Sequence, residues 1–364
     1  MSGEMNPPMF GHGPDGRFQE AYAVLREAIA KQAFPGCAFG VFAGGNVVLE
    51  DALGRFTYED PSPVVAPTTM YDIASLTKVV STTAAATLLY QQGRLDLETP
   101  LGEVLPGFVI GRDDSRWARR VTLRHLLAHS SGLPGYVPFF HTATTSYAVV
   151  RGCLELPIEV EPGTRAEYSD PGFILLGKAI ETILGETLPT FAHREIFVPL
   201  QMTRTGFCPP PHIRAEIPPT EEDELFRQRR IQGEVQDEHA YLLKGVAGHA
   251  GLFSNVPDLL RFAGAVLRPG LFTAETIELF AQRQPPPDST RALGWDTPSE
   301  ESSSGHLFSA NSIGHLGYSG CSLWIDRTAD VAVVLLTNRT WPHRESQLIR
   351  TVRPAFHDAV RKAL

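Results

Sequence analysis

Apolar and polar positions along the chain divide it into three stretches. From Phe18 to Gln32, apolar residues recur at helical spacing (Ala21, Leu25, Ile29), which predicts an amphipathic helix. Two strand-like runs follow, Cys37–Phe42 and Val47–Leu53, joined by Ala43-Gly44-Gly45-Asn46, which predicts a hairpin. An apolar, alanine-rich run from Val79 to Tyr90 then predicts a buried helix. Asp72 stands ready as its cap, and Gln91-Gln92-Gly93 as its stop. From residue 94 to about 240 the pattern changes. Short helical runs (Leu123–Leu127, Ile174–Leu184, Leu188–Glu195) are separated by Pro/Gly turns, and strand signals are sparse. Thr220–Glu238 is densely charged and reads as a solvated excursion.

The last third returns to the opening pattern. Asn255-x-x-Asp258 opens a helix through Phe262 and Leu267. Pro285–Gly305 is a Pro/Ser-rich loop broken by Leu293-Gly294-Trp295. Ser322–Ile325 and Val331–Leu336 flank Asp326–Asp330 as a second hairpin, and a helix follows from about Arg344 to Ala363. Helix–strand–strand in front and strand–strand–helix behind predict an α/β (α+β) sandwich whose antiparallel sheet is made from both chain ends. The expected division is residues 17–93 with 245–364 as the α/β domain and 94–244 as a mainly helical lobe, with 1–16 loosely ordered.

Composition narrows the partners. The chain has 364 residues and a formal net charge of −9, which disfavours nucleic acid and anionic membrane. No apolar run approaches the roughly 20 residues that span a bilayer. Met1–Pro8 has no basic region followed by an apolar one, so no secretory signal is read and a cytoplasmic location is expected. Cys37, Cys153, Cys208 and Cys321 are widely separated, unlike a disulfide scaffold or zinc site. The 12 histidines show no metal-ligand spacing, so neither metal nor other cofactor is expected. There is no G-x-S-x-G elbow and no strand followed by G-x-G-x-x-G.

The candidate chemistry lies in three segments. Ser75-Leu76-Thr77-Lys78 puts an amine one helical turn from a hydroxyl, and a serine needs a nearby base to become a nucleophile. Tyr168-Ser169-Asp170 is the second segment, and His315-Leu316-Gly317, just ahead of the C-terminal strands, is the third. Lys78 or Tyr168 could accept the serine proton, and the residues leave that choice open. Asp170 could pair with Lys78 and keep it charged, or cap a helix starting near Pro171. His315, neutral or cationic, could hold Tyr168 or a substrate carboxylate. Gly317 would let substrate approach a strand closely.

This ordered trio resembles the serine β-lactamase and penicillin-binding protein superfamily, and within it the class C β-lactamase branch with its D,D-peptidases and esterases. Leu126-Leu127-Ala128-His129-Ser130-Ser131-Gly132-Leu133 is similar to a run of that family. Gly245-Val246-Ala247-Gly248-His249-Ala250-Gly251-Leu252-Phe253-Ser254 is similar to a loop in a subgroup that includes amidases acting on cell-wall fragments. The resemblance implies that Ser75 forms an acyl-enzyme and that the N–H groups of Ser75 and Tyr318 make the oxyanion hole. Asp170 departs from the asparagine usual in the second motif. It removes an amide donor and lowers the expectation of β-lactam turnover. A small amide or ester substrate is expected, with cell-wall peptide fragments first, promiscuous ester hydrolysis second and β-lactam hydrolysis third. A β-lactam- or peptide-sensing binding module is the non-enzymatic alternative. His129, Ser130 and Ser131 read as a helix end and turn, and His249 as pocket lining.

Overall fold

The computed structural model describes residues 16–113 and 115–364, so the expectation for the N-terminal residues lies, but for Gly16, outside the described residues. Helix α1 (Gln19–Ala30) buries Ala21, Tyr22, Leu25 and Ala28 along one stripe, as its spacing requires. Strands β1 (Gly36–Ala43) and β2 (Asn46–Gly54) form the first hairpin. Gly44 (φ 56°) and Gly45 (φ 92°) make its turn in the left-handed region, which glycine enters without a Cβ clash. Three strands from the far end complete the sheet: β3 (Ser312–Leu316), β4 (Ser322–Asp326) and β5 (Val331–Thr337). The order is β2-β1-β5-β4-β3, antiparallel throughout, with Phe39 opposite Leu335 at the junction of the two chain ends.

Alternation along the strands sorts their side chains onto two faces. Phe39, Val41, Trp324, Val333 and Leu335 share one core with α1 and with α5 (Ile349–Lys362). There Tyr22 and Phe356 both meet the Phe39 ring edge-on, at 5.3 and 5.8 Å between centroids. Removing that ring would cost roughly 3–5 kcal/mol. Ala38, Leu323, Ile325, Val334 and Leu336 face the other core. Helix α4 (Val256–Leu267) covers that face closely at Gly40, where a Cβ would come within 2.5 Å of Val256. The remaining helices used below are α2 (Ala84–Gln91) and α3 (Asp170–Leu184).

Three expectations change in detail. The helix behind Ser75 is not one regular α-helix: Ala74–Leu76 is 3-10, Lys78–Thr83 is π-helical, and α2 follows. The charged Thr220–Glu238 stretch is folded in rather than solvated. Glu221–Asp223 pairs with Arg229–Ile231, and Arg344 bonds both Glu221 and Glu238, which are buried. The last helix starts at Ile349, later than the expected Arg344. Among the described residues no helix is long and apolar enough to cross a membrane.

Candidate functional site

Ser75 follows an unusual backbone. Ala74 has φ +48°, a region that costs a non-glycine residue about 1 kcal/mol or more unless its surroundings fix it. They do: Asp72 Oδ1 accepts the Ala74 N–H at 2.8 Å and Thr77 Oγ1 donates to Ala74 O at 2.6 Å. Asp72 therefore braces the turn into the Ser75 segment instead of capping the helix. Its other oxygen accepts the Gln236 N–H at 2.7 Å, and burial raises its carboxyl to a pKa of about 6. Ser75 is left partly exposed while Lys78 is fully buried.

Lys78 Nζ donates to Ser75 Oγ at 3.1 Å, to Asp170 at 2.7 Å and to the His249 carbonyl at 3.2 Å. Burial pulls the Lys78 ammonium down, but the Asp170 carboxylate and the Tyr168 phenol outweigh it and hold its pKa above the ordinary value. Burial pushes the Tyr168 phenol up, against the pull of Lys78, and its pKa ends above the ordinary value. Lys78 Nζ lies 4.7 Å from the centre of the Tyr168 ring. The resting site is thus a lysinium–carboxylate pair beside a neutral phenol.

Of the two roles left open for Asp170, capping falls to its neighbour. Ser169 Oγ accepts the Gly172 N–H at 3.1 Å at the start of α3, and Asp170 faces Lys78. His129 Nδ1 accepts the Ser169 N–H at 2.9 Å, and its ring lies between those of Tyr168 (4.6 Å) and Phe173 (4.8 Å). It supports the Tyr168 segment, as a helix-end residue can. His315 is buried on β3, 5.8 Å from Tyr168 between ring centres. Burial, with Lys78 and Arg291 nearby, holds its pKa well below the ordinary value, which favours the neutral imidazole of the two forms. Its Nδ1 bonds Leu316 O at 2.8 Å, which leaves a buried Nε2 without a partner among the described residues. Gly317 presses against the segment leading to Ser75: a Cβ there would lie 2.5 Å from Ile73 O. Ser319 Oγ donates to Asp72 O at 2.7 Å and ties the same two segments. Among the described residues neither the Ser75 nor the Tyr318 N–H has a protein acceptor.

The glycine-rich Gly245–Ser254 loop closes the back of the site. Thr82 Oγ1 donates to Gly248 O at 2.6 Å, beside the His249 carbonyl that receives Lys78. A Cβ on Gly248 would meet Phe173 O at 2.2 Å, so this glycine lets the loop lie on α3. Asp237, His239 and His249 bring potential metal-ligand atoms within 4.8 Å of one another. The hydrogen bonds present do not suit a cation. His239 Nε2 accepts the Phe139 N–H at 3.1 Å, so its proton sits on Nδ1 and the ring offers no lone pair. His249 Nε2 lies 2.9 Å from Asp237 Oδ1. Burial raises the Asp237 carboxyl, but His249 and His239 more than offset it and hold it well below the usual range.

Several residues at the site had no signal in the sequence. Arg291 lies over the Tyr168 ring at 5.2 Å from within the Pro/Ser-rich loop. Asp237 had none either; it pairs with His249, which the sequence marked only as pocket lining, 12 residues on.

Comparison with known proteins adds four findings. The profile of the Beta-lactamase family matches residues 22–354. The chain is 32% identical over 348 residues to an N-acetylmuramyl-L-alanine amidase of Bacillus subtilis, covering 84% of this chain and 77% of that protein. It is 31% identical over 346 residues to a putative D-alanyl-D-alanine carboxypeptidase of Escherichia coli, covering 85% and 79%. Its fold superposes on a penicillin-binding protein homologue from Caulobacter crescentus with a TM-score of 0.75, at 20% identity, covering 98% of this chain and 99% of that one.

Proposed function

The chain belongs to the β-lactamase family, with relatives named as an amidase and a putative D-alanyl-D-alanine carboxypeptidase, and on that premise we propose that Ser75 is the nucleophile of an acyl-enzyme reaction on a small amide or ester. The observation that carries this reading is the contact of a buried, charge-paired Lys78 with the Ser75 hydroxyl at 3.1 Å. Ser75 Oγ attacks the acyl carbon as its proton passes to the Tyr168 oxygen, with Tyr168 acting from its phenolate form. Lys78 stays charged against Asp170 and stabilises that phenolate. The tetrahedral oxyanion is received by the N–H groups of Ser75 and Tyr318. Collapse breaks the bond to the leaving group, which takes the proton back from Tyr168. Water then attacks the ester carbon by the same route and frees Ser75. The site draws on both parts of the proposed division: Ser75, Lys78 and His315 from 17–93 with 245–364, Tyr168 and Asp170 from 94–244.

For the substrate, cell-wall peptide fragments come first. The amidase and carboxypeptidase names of the two relatives support this, as does the Gly245–Ser254 loop. Asp170 counts against efficient β-lactam hydrolysis, because a carboxylate bound to Lys78 offers no donor to a substrate amide. A panel of muropeptides, D-Ala-D-Ala peptides, short-chain esters and nitrocefin, with mass spectrometry of the trapped adduct, tests the reading. Expected are turnover of a peptide fragment and an adduct on Ser75 that Ser75→Ala abolishes. An adduct on another residue, or ester turnover that survives Ser75→Ala, removes the assignment. Stoichiometric acylation without turnover of any member would favour a sensing module instead.

A further inference from the structure

The turn from Gly317 to Cys321 has every carbonyl engaged. Thr337 Oγ1 and the Arg339 N–H donate to Ser319 O at 3.0 and 2.9 Å, and Arg339 Nε donates to Tyr318 O at 2.7 Å. One guanidinium reaches the other three, two of which also accept backbone N–H groups of the turn: Gly320 N–H donates to Gly317 O at 3.0 Å and Gly317 N–H to Cys321 O at 2.7 Å. Arg353 Nη2 donates to Gly317 O at 2.6 Å and to Cys321 O at 2.9 Å, and Nε donates to Gly320 O at 3.1 Å. Arg353 projects from α5 and is only 6% exposed. Its hydrogen-bond partners are carbonyls; among the described residues it forms no ion pair with a carboxylate. Burial lowers its pKa to about 10, so it remains a cation at neutral pH.

A buried guanidinium without a counter-ion is an expensive way to satisfy three carbonyls, if that were all it did. The Gly317 carbonyl and the Tyr318 N–H are two ends of one peptide unit, and in a trans peptide they point in opposite directions. Gripping the carbonyl from α5 directs the N–H away from α5. A positive charge at the carbonyl end also draws electron density along the amide, which makes the N–H a stronger donor. That N–H has no protein acceptor among the described residues.

We propose that Arg353 is a positioning residue for the oxyanion hole: it fixes the plane of the Gly317–Tyr318 peptide and polarises it, so the Tyr318 N–H is aimed and strengthened before substrate arrives. This rests on the Ser75 acyl-enzyme reading. Arg339 supplies an internal control, because it grips the next carbonyl, whose peptide carries the Ser319 N–H instead.

The test compares Arg353→Lys, Arg353→Met and Arg339→Lys by p-nitrophenyl ester kinetics, by affinity for a boronic acid that forms a tetrahedral adduct on serine, and by thermal unfolding. Losing an oxyanion donor outright costs about 10²–10³-fold in kcat, so weakening one should cost roughly tenfold for Arg353→Lys and up to about 10²-fold for Arg353→Met. KM should hold, boronate affinity should fall by the same factor as kcat, and Arg339→Lys should stay within about threefold of wild type. Folded Arg353→Lys with wild-type kcat overturns the proposal. So does an equal loss in Arg339→Lys, which would mean that turn integrity alone matters. If Arg353→Met does not fold, Arg353→Lys and the boronate ratio decide. Wild-type protein that neither cleaves ester nor binds boronate sinks the acyl-enzyme reading itself and takes this proposal with it.

Discussion

Lys78 and Arg353 are both buried cations, one in the helix behind the nucleophile and one in the helix behind the last turn, and the fold satisfies them in different ways. Lys78 has a carboxylate, a hydroxyl and one carbonyl; Arg353 has three carbonyls and no acid. Burial pulls both pKa values down. For Lys78 the counter-ion reverses the direction, whereas Arg353 stays lowered. A cation paired with a carboxylate is tied to proton chemistry, because either partner can exchange a proton with its neighbours. A cation solvated by oriented dipoles is tied to geometry. The two regions should therefore fail differently when broken.

The largest difference is expected from Lys78→Ala and Tyr168→Phe. Each should lower kcat by at least about 10²-fold, since each removes part of the proton route. Lys78→Ala also strands Asp170, which is 18% exposed at the side chain, and should destabilise the fold by roughly 3 kcal/mol in urea unfolding. Kinetics and denaturation on the same preparations check both halves. A Lys78→Ala protein with near-normal kcat would erase the contrast with Arg353.

The pH profile sharpens it next. If Tyr168 acts as phenolate, the active fraction is the deprotonated one, and its pKa lies above the ordinary tyrosine value. Log kcat/KM should then climb by about one per pH unit through neutrality and into the alkaline range. Lys78, also raised, must stay protonated, so no falling limb is expected before strongly alkaline pH. A plateau beginning near pH 6–7 would point to another base. Arg353→Lys should lower this profile without changing its shape.

Asp170→Asn probes the carboxylate itself, with a smaller effect. Removing the charge takes away the largest influence that raises Lys78, so the falling limb should move to lower pH. The new amide can donate to a substrate carbonyl, a bond of about 1 kcal/mol, so nitrocefin turnover should gain several-fold relative to ester turnover. An unchanged ratio would mean that position 170 does not govern substrate class.

These contrasts also mark what the sequence could carry. The hairpins were legible because alternation of apolar residues reports a two-faced sheet, and Gly44-Gly45 reports its turn. Strand β3 was passed over: Ser312 to Leu316 is short, contains Gly314, and earns its strand geometry from β4 beside it. Ser75, Lys78, Tyr168 and His315 were visible because each sits in a short motif with fixed spacing. Arg353 was not, because its role is set by three carbonyls over 30 positions away, and nothing in a helical run distinguishes it from a surface arginine. Thr220–Glu238 misled for a related reason. Charge density predicts solvation, but Arg344 lies over 100 residues downstream of the glutamates it neutralises.

Two glycines, one in each region, test the same contrast through packing alone. Gly248 lets the loop that offers the His249 carbonyl to Lys78 rest on α3, and Gly317 lets the Arg353-held turn rest on the nucleophile loop. A Cβ at either would strike backbone oxygen, Phe173 O at 2.2 Å or Ile73 O at 2.5 Å, so neither contact can be relieved by a rotamer change. Gly248→Ala and Gly317→Ala should each destabilise by about 1–3 kcal/mol, the usual range for overpacking. Their kinetics should part. In Gly248→Ala the shifted carbonyl is one of three acceptors for Lys78, and Asp170 still holds the amine, so kcat should fall only a few-fold. In Gly317→Ala the peptide that carries the Tyr318 N–H must itself move from Ser75, so kcat and boronate affinity should fall together by about tenfold. Equal kinetic losses at equal destabilisation would show that the two regions respond as one packed unit, and the distinction between a charge held by a counter-ion and a charge held by dipoles would have no catalytic meaning here.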